Sequence, residues 1–120
     1  VKKLYASGVK LVNLQYGDVN SELGKLQKEF GIEVIQIPDI DNKDNIDDLA
    51  ALIMACDKIV SISNVTAHLA GALGKEAQVL LPFSCDWRWG KAGNSSNWYS
   101  SVCLYRQTRL DDWDSALIQL

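Results

Sequence analysis

The 120 residues include one histidine, one methionine, two prolines and three cysteines. A single histidine excludes any metal centre built from several imidazoles. The thiols, Cys56, Cys85 and Cys103, show no CxxC spacing, and an odd number cannot all pair, so reduced cysteines in a reducing compartment are expected. No apolar run approaches the roughly 18 residues of a membrane span. The opening VKKLYASG lacks the apolar core of about 7–15 residues that a secretory signal requires. A cytoplasmic chain with no membrane span is the expectation. Basic residues are also scarce, 12 Lys and Arg against 15 Asp and Glu for a net charge of −3. Without a basic stripe to meet phosphate backbones, nucleic acid is not an expected partner.

What is present is the composition of a globular domain, with 48% hydrophobic and 22% charged residues. A chain of this size buries roughly two-thirds of its unfolded surface and needs no disulfide or metal to hold a core. One domain over 1–120 is therefore expected. Two compositional oddities remain. All four tryptophans (Trp87, Trp89, Trp98, Trp113) fall in the last third, and the chain starts with Val1 rather than Met, as a fragment does.

Short Val- and Ile-rich runs alternate with segments of helical period, the pattern of a mainly parallel sheet of about five strands between helices, a Rossmann-like three-layer αβα architecture. The spacing predicts strands at Val9–Gln15, Glu33–Ile37, Lys58–Ile62, Ala77–Leu81 and Val102–Tyr105. It predicts helices at Ser21–Phe30, stopped by Gly31, at Asn45–Cys56, at Asn64–Leu73, stopped by Gly74, and at Asp111–Leu120. The longest irregular stretch runs from Pro82 to about Ser101, and long loops in small domains are usually functional or mobile.

The strongest chemical signal is the strand-to-helix junction Ser61-Ile62-Ser63-Asn64-Val65-Thr66-Ala67-His68. Ser63 and Asn64 are good N-caps, because a side-chain oxygen can accept from the free amides of the first turn. Ligands of open α/β sheets bind at this carboxyl edge, and a helix N-terminus attracts phosphate. His68 follows Asn64 by four residues on the same face, and helical side chains lean toward the N-terminus, so its imidazole can approach the same anion. The plainer alternative is a capped helix with small packing residues and His68 as a satisfied buried imidazole. A Cys–His nucleophile pair would need Cys85 or Cys56 to fold against His68.

The acidic stretch Asp39–Asp48 imitates a metal loop but fails as a calcium site. Lys43 occupies a ligand position, Asp44 replaces the required glycine and Ala50 stands where a bidentate glutamate is needed. A solvated turn with Asp44 or Asn45 capping the next helix accounts for it. In the long loop, Asp86-Trp87-Arg88-Trp89 places two tryptophans around an arginine. They can form a lid, an aromatic floor or an interface, with Arg88 free to pair with phosphate or stack on a ring. The structural alternative has one or both tryptophans plugging the loop onto the core.

From Ser61–Gly74 through Leu80-Leu81-Pro82, Asp86–Trp89 and Trp98-Tyr99 to Leu104–Gln107, the chain resembles the C-terminal part of heptosyltransferase-like (family 9) glycosyltransferases, in the version found at the end of bacterial tetratricopeptide-repeat proteins. The resemblance extends from Leu11 to the C-terminus. It implies the C-terminal half of a GT-B fold, which binds a nucleotide-diphosphate sugar without a metal or other cofactor. A separate N-terminal domain, expected upstream of Val1, would supply the acceptor site and the catalytic base. Hexosyl or heptosyl transfer is the implied reaction, inactive in this part alone, with tetratricopeptide repeats as a further partner. The resemblance puts the donor diphosphate at Ser63, Asn64, Val65 and Thr66, with His68 beneath it stabilising the leaving group. Asp44 and Asn45 fall at the base pocket, Gln15, Tyr16, Gly17 and Asp18 at the ribose, and Pro82, Trp87, Arg88 and Trp89 complete the donor-binding set.

The sequence departs from the family at Ser63-Asn64, where many relatives have Asp-Thr and the Asp is thought to contact the donor sugar. That departure supports a second reading, a non-catalytic nucleotide- or protein-binding module attached to a repeat domain. A receiver-like domain is a third, but it needs clustered acids at strand ends, and Gln15, Ile37, Ser63 and Leu81 do not supply them.

Overall fold

The computed structural model describes residues 2–120, so the chain start at Val1 lies outside the described residues. Its elements run α1 (Lys2–Ala6), β1 (Leu11–Val12), α2 (Asn20–Phe30), β2 (Val34–Ile35), α3 (Ile46–Ala55), β3 (Ile59–Ile62), α4 (Val65–Ala72), β4 (Ala77–Leu81), a 3₁₀ turn (Trp87–Trp89), β5 (Val102–Arg106) and α5 (Trp113–Leu117). This is an α/β fold in which every strand pair is parallel, β1 with β2 in one sheet and β3-β4-β5 in another. It is compatible with the expected Rossmann-like arrangement, with the five strands divided between two sheets. The chain separates into two compact units, one ending at Leu52 and the other spanning Ile53–Leu120.

In the first unit the strands are shorter than their apolar runs. Asn13 ends β1 because its side-chain oxygen accepts from the Gln15 amide at 3.1 Å, a local turn that competes with the ladder. Beyond β2, the Ile40 amide turns back to the Ile37 carbonyl, with Pro38 between. Helix α2 stops at Gly31 as predicted, since φ is +63° there and a side chain would be strained. Asn45, one of the two expected caps, starts α3 by accepting from the Asp47 and Asp48 amides at 3.1 and 3.3 Å.

In the second unit the register sets Ile59, Ala77 and Val102 side by side, and Ser61, Val79 and Leu104 two residues further on. Because side chains alternate, these share one face, and all but Ser61 are buried. Residues of the opposite face are more open, Cys103 and Ile62 being exposed. The free edge of β5 is covered by its own loop, through an antiparallel bridge from Ser95 to Cys103 and a 2.8 Å bond from the Leu104 amide to the Asn94 carbonyl. Of the small residues expected to pack along this segment, Ala67, Ala70 and Gly71 are buried and Gly74 is exposed. The last helix is shorter than its predicted Asp111–Leu120. Asp111 takes φ +60° in a turn, and the Asp112 side chain caps the helix by accepting from Ser115 N at 3.2 Å.

Candidate functional site

Asn64 caps the N-terminus of α4. Asn64 has extended backbone, and its Oδ1 accepts from the Ala67 amide at 3.1 Å and from the Ser61 hydroxyl at 3.0 Å. Ser63 Oγ accepts the indole N–H of Trp89 at 2.8 Å. Both polar side chains at the junction are thereby committed to the fold, while the Val65 and Thr66 amides, in the first turn, are the donors an α-helix leaves without an internal partner.

His68 is gripped on two sides. Trp89, itself only 1% exposed, stacks on the imidazole with centroids 4.6 Å apart and planes 19° from parallel. The Tyr99 hydroxyl lies 3.2 Å from His68 Nδ1, and the two rings meet edge to face at 5.8 Å. Tyr99 reaches this position because residue 71 has no side chain. A Cβ there would come within 2.6 Å of Tyr99 Cδ2 and 2.8 Å of Cδ1.

Trp89 is the plug that the sequence allowed for, and Trp87 is its opposite, 70% exposed. Between them Asp86 caps the 3₁₀ turn, accepting from Arg88 N at 2.9 Å and from the guanidinium at 3.0 and 3.1 Å. The Arg88 backbone N–H first, and its side chain second, hold the Asp86 carboxyl below the usual carboxylate range. The guanidinium also lies 4.8 Å over the Trp87 ring. Trp98, 61% exposed, meets Trp87 edge to face at 6.3 Å. His68, Trp87, Arg88, Trp98 and Tyr99 together line an open cleft of about 290 Å³.

The loop carrying these groups is tied down by Arg106 at the end of β5. Its guanidinium donates to the Gly93 carbonyl at 2.7 Å, to Gly90 at 3.3 Å, to the Trp89 carbonyl and to Cys85 Sγ at 3.1 Å. Gln107 Oε1 adds a bond from the Phe83 amide at 2.9 Å. Cys85 is thus engaged with Arg106, and His68 has Trp89 and Tyr99 beside it, so the structure does not pair these two residues as a nucleophile and base. All three cysteines are free.

Of the residues singled out in the sequence, His68, Trp87 and Arg88 line the cleft. Trp89 and Ser63 support it from behind. Pro82 is half-buried just after β4 and does not line it. The sequence distinguishes Tyr99 and Trp98 only as part of the Trp98-Tyr99 motif; the glycine at 71, in a run of small residues, is the signal that something packs close there. In the first unit, Gln15, Tyr16 and Gly17 line a separate hollow of about 490 Å³ together with Asn13, Gln36, Asn42 and Lys43. Asp18, Asp44 and Asn45 do not line it. Asp18 accepts from the Asn20 amide at 3.1 Å, Asn45 caps α3, and the Asp44 amide donates to Asp41 at 2.9 Å. The amides of Asp44 and Lys43 keep the Asp41 carboxyl below its ordinary range. Among the described residues no group of three or more His, Cys, Asp or Glu is arranged to hold a metal ion, and no helix is long and apolar enough to cross a membrane.

The chain is similar to Protein FlbA of Caulobacter vibrioides, with 36% identity over 115 residues that make up 95% of this chain and 19% of that protein. It therefore spans about a fifth of the length of the curated relative it matches. No protein-family model matches the chain, and no solved structure matches it.

Proposed function

We propose that the second unit is the donor half of a heptosyltransferase-like glycosyltransferase, binding the diphosphate of a nucleotide-diphosphate sugar at the α4 N-terminus and beside the His68 cleft. The observation that carries the reading is that the His68 side chain, from the helix that follows the carboxyl end of β3, and the Arg88 side chain line one cleft. Transfer of the sugar to a hydroxyl leaves negative charge on the departing diphosphate. Amides, imidazole and guanidinium fixed before the reaction stabilise that charge without reorganising. The exposed tryptophans offer flat faces for a sugar or base. On this reading the base that deprotonates the acceptor is supplied by another part of the whole protein, and the 120 residues alone are not expected to catalyse transfer.

A second reading, a non-catalytic nucleotide- or protein-binding module, is favoured by one observation. Ser63 and Asn64, which replace the family's Asp-Thr, both spend their side chains on internal hydrogen bonds. Calorimetry of the chain with nucleoside diphosphates and their sugar conjugates tests the first reading. Micromolar to millimolar binding, weakened in His68→Ala and Arg88→Ala, is expected. Unchanged affinity in both variants refutes the placement at this cleft. Binding of the diphosphates with no contribution from the sugar supports the module.

A further inference from the structure

Resting on that reading of the cleft, we infer that Tyr99 is a positioning residue that sets the tautomer of His68. Its hydroxyl donates to Nδ1, so the ring proton sits on Nε2 and serves as a hydrogen-bond donor to the ligand. Three contacts support this, each from a different part of the chain. The Tyr99 oxygen stands 3.2 Å from Nδ1. Trp89 closes one face of the imidazole at 4.6 Å, and its own indole is pinned by the 2.8 Å bond to Ser63, so ring rotation is opposed by packing. Gly71 lets the Tyr99 ring lie against α4, where any larger residue would push it away.

The direction of the proton follows from pairing. A phenol has one hydrogen and a neutral imidazole has one hydrogen and one bare nitrogen. If Tyr99 donates to Nδ1, both groups are satisfied and Nε2–H remains for the ligand. If Nδ1 donates instead, the phenol hydrogen is left without a partner in a half-buried site, and Nε2 offers a lone pair that repels an anion. The ring nitrogen not engaged by a second group is the one that acts, and the partner of the other nitrogen decides its protonation.

Because His68 is the sole histidine, its two ring nitrogens can be read without assignment ambiguity in a ¹⁵N-labelled chain. Long-range ¹H–¹⁵N spectra of the neutral imidazole should place the proton on Nε2 and show Nδ1 as a hydrogen-bonded acceptor. In the isosteric Tyr99→Phe variant the two nitrogen shifts should move toward each other as the tautomers mix. Gly71→Ala, which displaces the ring without removing the hydroxyl, should do the same. A dispersed amide spectrum for each variant shows that the fold is kept, a comparison a merely structural role for Tyr99 would not separate. Titration with adenosine, cytidine, guanosine and uridine diphosphates should show about fivefold weaker binding in Tyr99→Phe, the size of one net hydrogen bond. A wild-type proton on Nδ1, or shifts unmoved by both variants, overturns the inference. Tautomer behaviour as expected with no binding of any diphosphate supports the Tyr99 role and refutes the donor-site reading.

Discussion

Gly71→Ala is a substitution that ordinary helix energetics favours and this packing opposes. The residue lies in α4 with no positive φ, so alanine lowers the conformational entropy lost on folding and stabilises by about 0.5–1 kcal/mol. Against that, its methyl group would sit 2.6 Å from Tyr99 Cδ2, while ordinary contact begins at 3.4 Å. The ring's Cγ lies closer still, so the ring or the helix must yield by about 1 Å. Overpacking of this kind costs about 1–3 kcal/mol. The net expectation is a loss of roughly 0–2.5 kcal/mol in the wild-type background. In a Tyr99→Ala background the obstruction is gone, and Gly71→Ala should stabilise by about 0.5–1 kcal/mol. The reversal of sign, a coupling of about 1–3 kcal/mol, is measurable by urea denaturation followed through tryptophan fluorescence in a double-mutant cycle. Similar m-values across the four proteins confirm that the same structure is being unfolded. Destabilisation of equal size in both backgrounds refutes the claim that Tyr99 is what Gly71 accommodates.

Asn64→Ala should cost about 1 kcal/mol in thermal melts through loss of the α4 cap, and Asn64→Asp should recover most of it. Arg106→Met should leave the carbonyls of Trp89, Gly90 and Gly93 without their shared donor, and limited proteolysis should then cut within residues 83–101 before any other segment. Uniform protection in the variant would show that the loop does not depend on Arg106. The folded-state value of Asp86 lies below its unfolded one, so its contribution is present above the unfolded pKa and lost as pH falls through the folded value. An Asp86→Asn variant should therefore be less stable than wild type near neutrality and equally stable in strong acid, as read by melting temperature against pH. Burial raises the Cys56 thiol, and Cys103 is exposed, so mass spectrometry after brief alkylation should find Cys103 labelled first.

The parallel α/β pattern was legible because buried strands must be apolar and helices must repeat their apolar positions every three to four residues. Ala77–Leu81 is recovered to the residue, and the stops at Gly31 and Gly74 follow from local backbone preference alone. Helix α1 (Lys2–Ala6) carries no comparable signal, and β1 is shorter than its apolar run because hydrophobicity does not report the Asn13 turn that ends it. The same limit applies to the cleft. Composition and spacing marked His68, Trp87, Arg88 and Trp89 as chemically notable, but which tryptophan is buried and which is exposed depends on contacts between α4 and a loop some twenty residues further along the chain. Asn64 capping its own helix is local physics, available from four consecutive residues. The meeting of His68 with Tyr99, 31 positions later, is decided by the missing side chain at Gly71 and by Arg106 holding the intervening loop. Local propensity settles such elements within a few residues, whereas the orientation of a catalytic or binding ring is a property of distant surfaces that only folding brings into register.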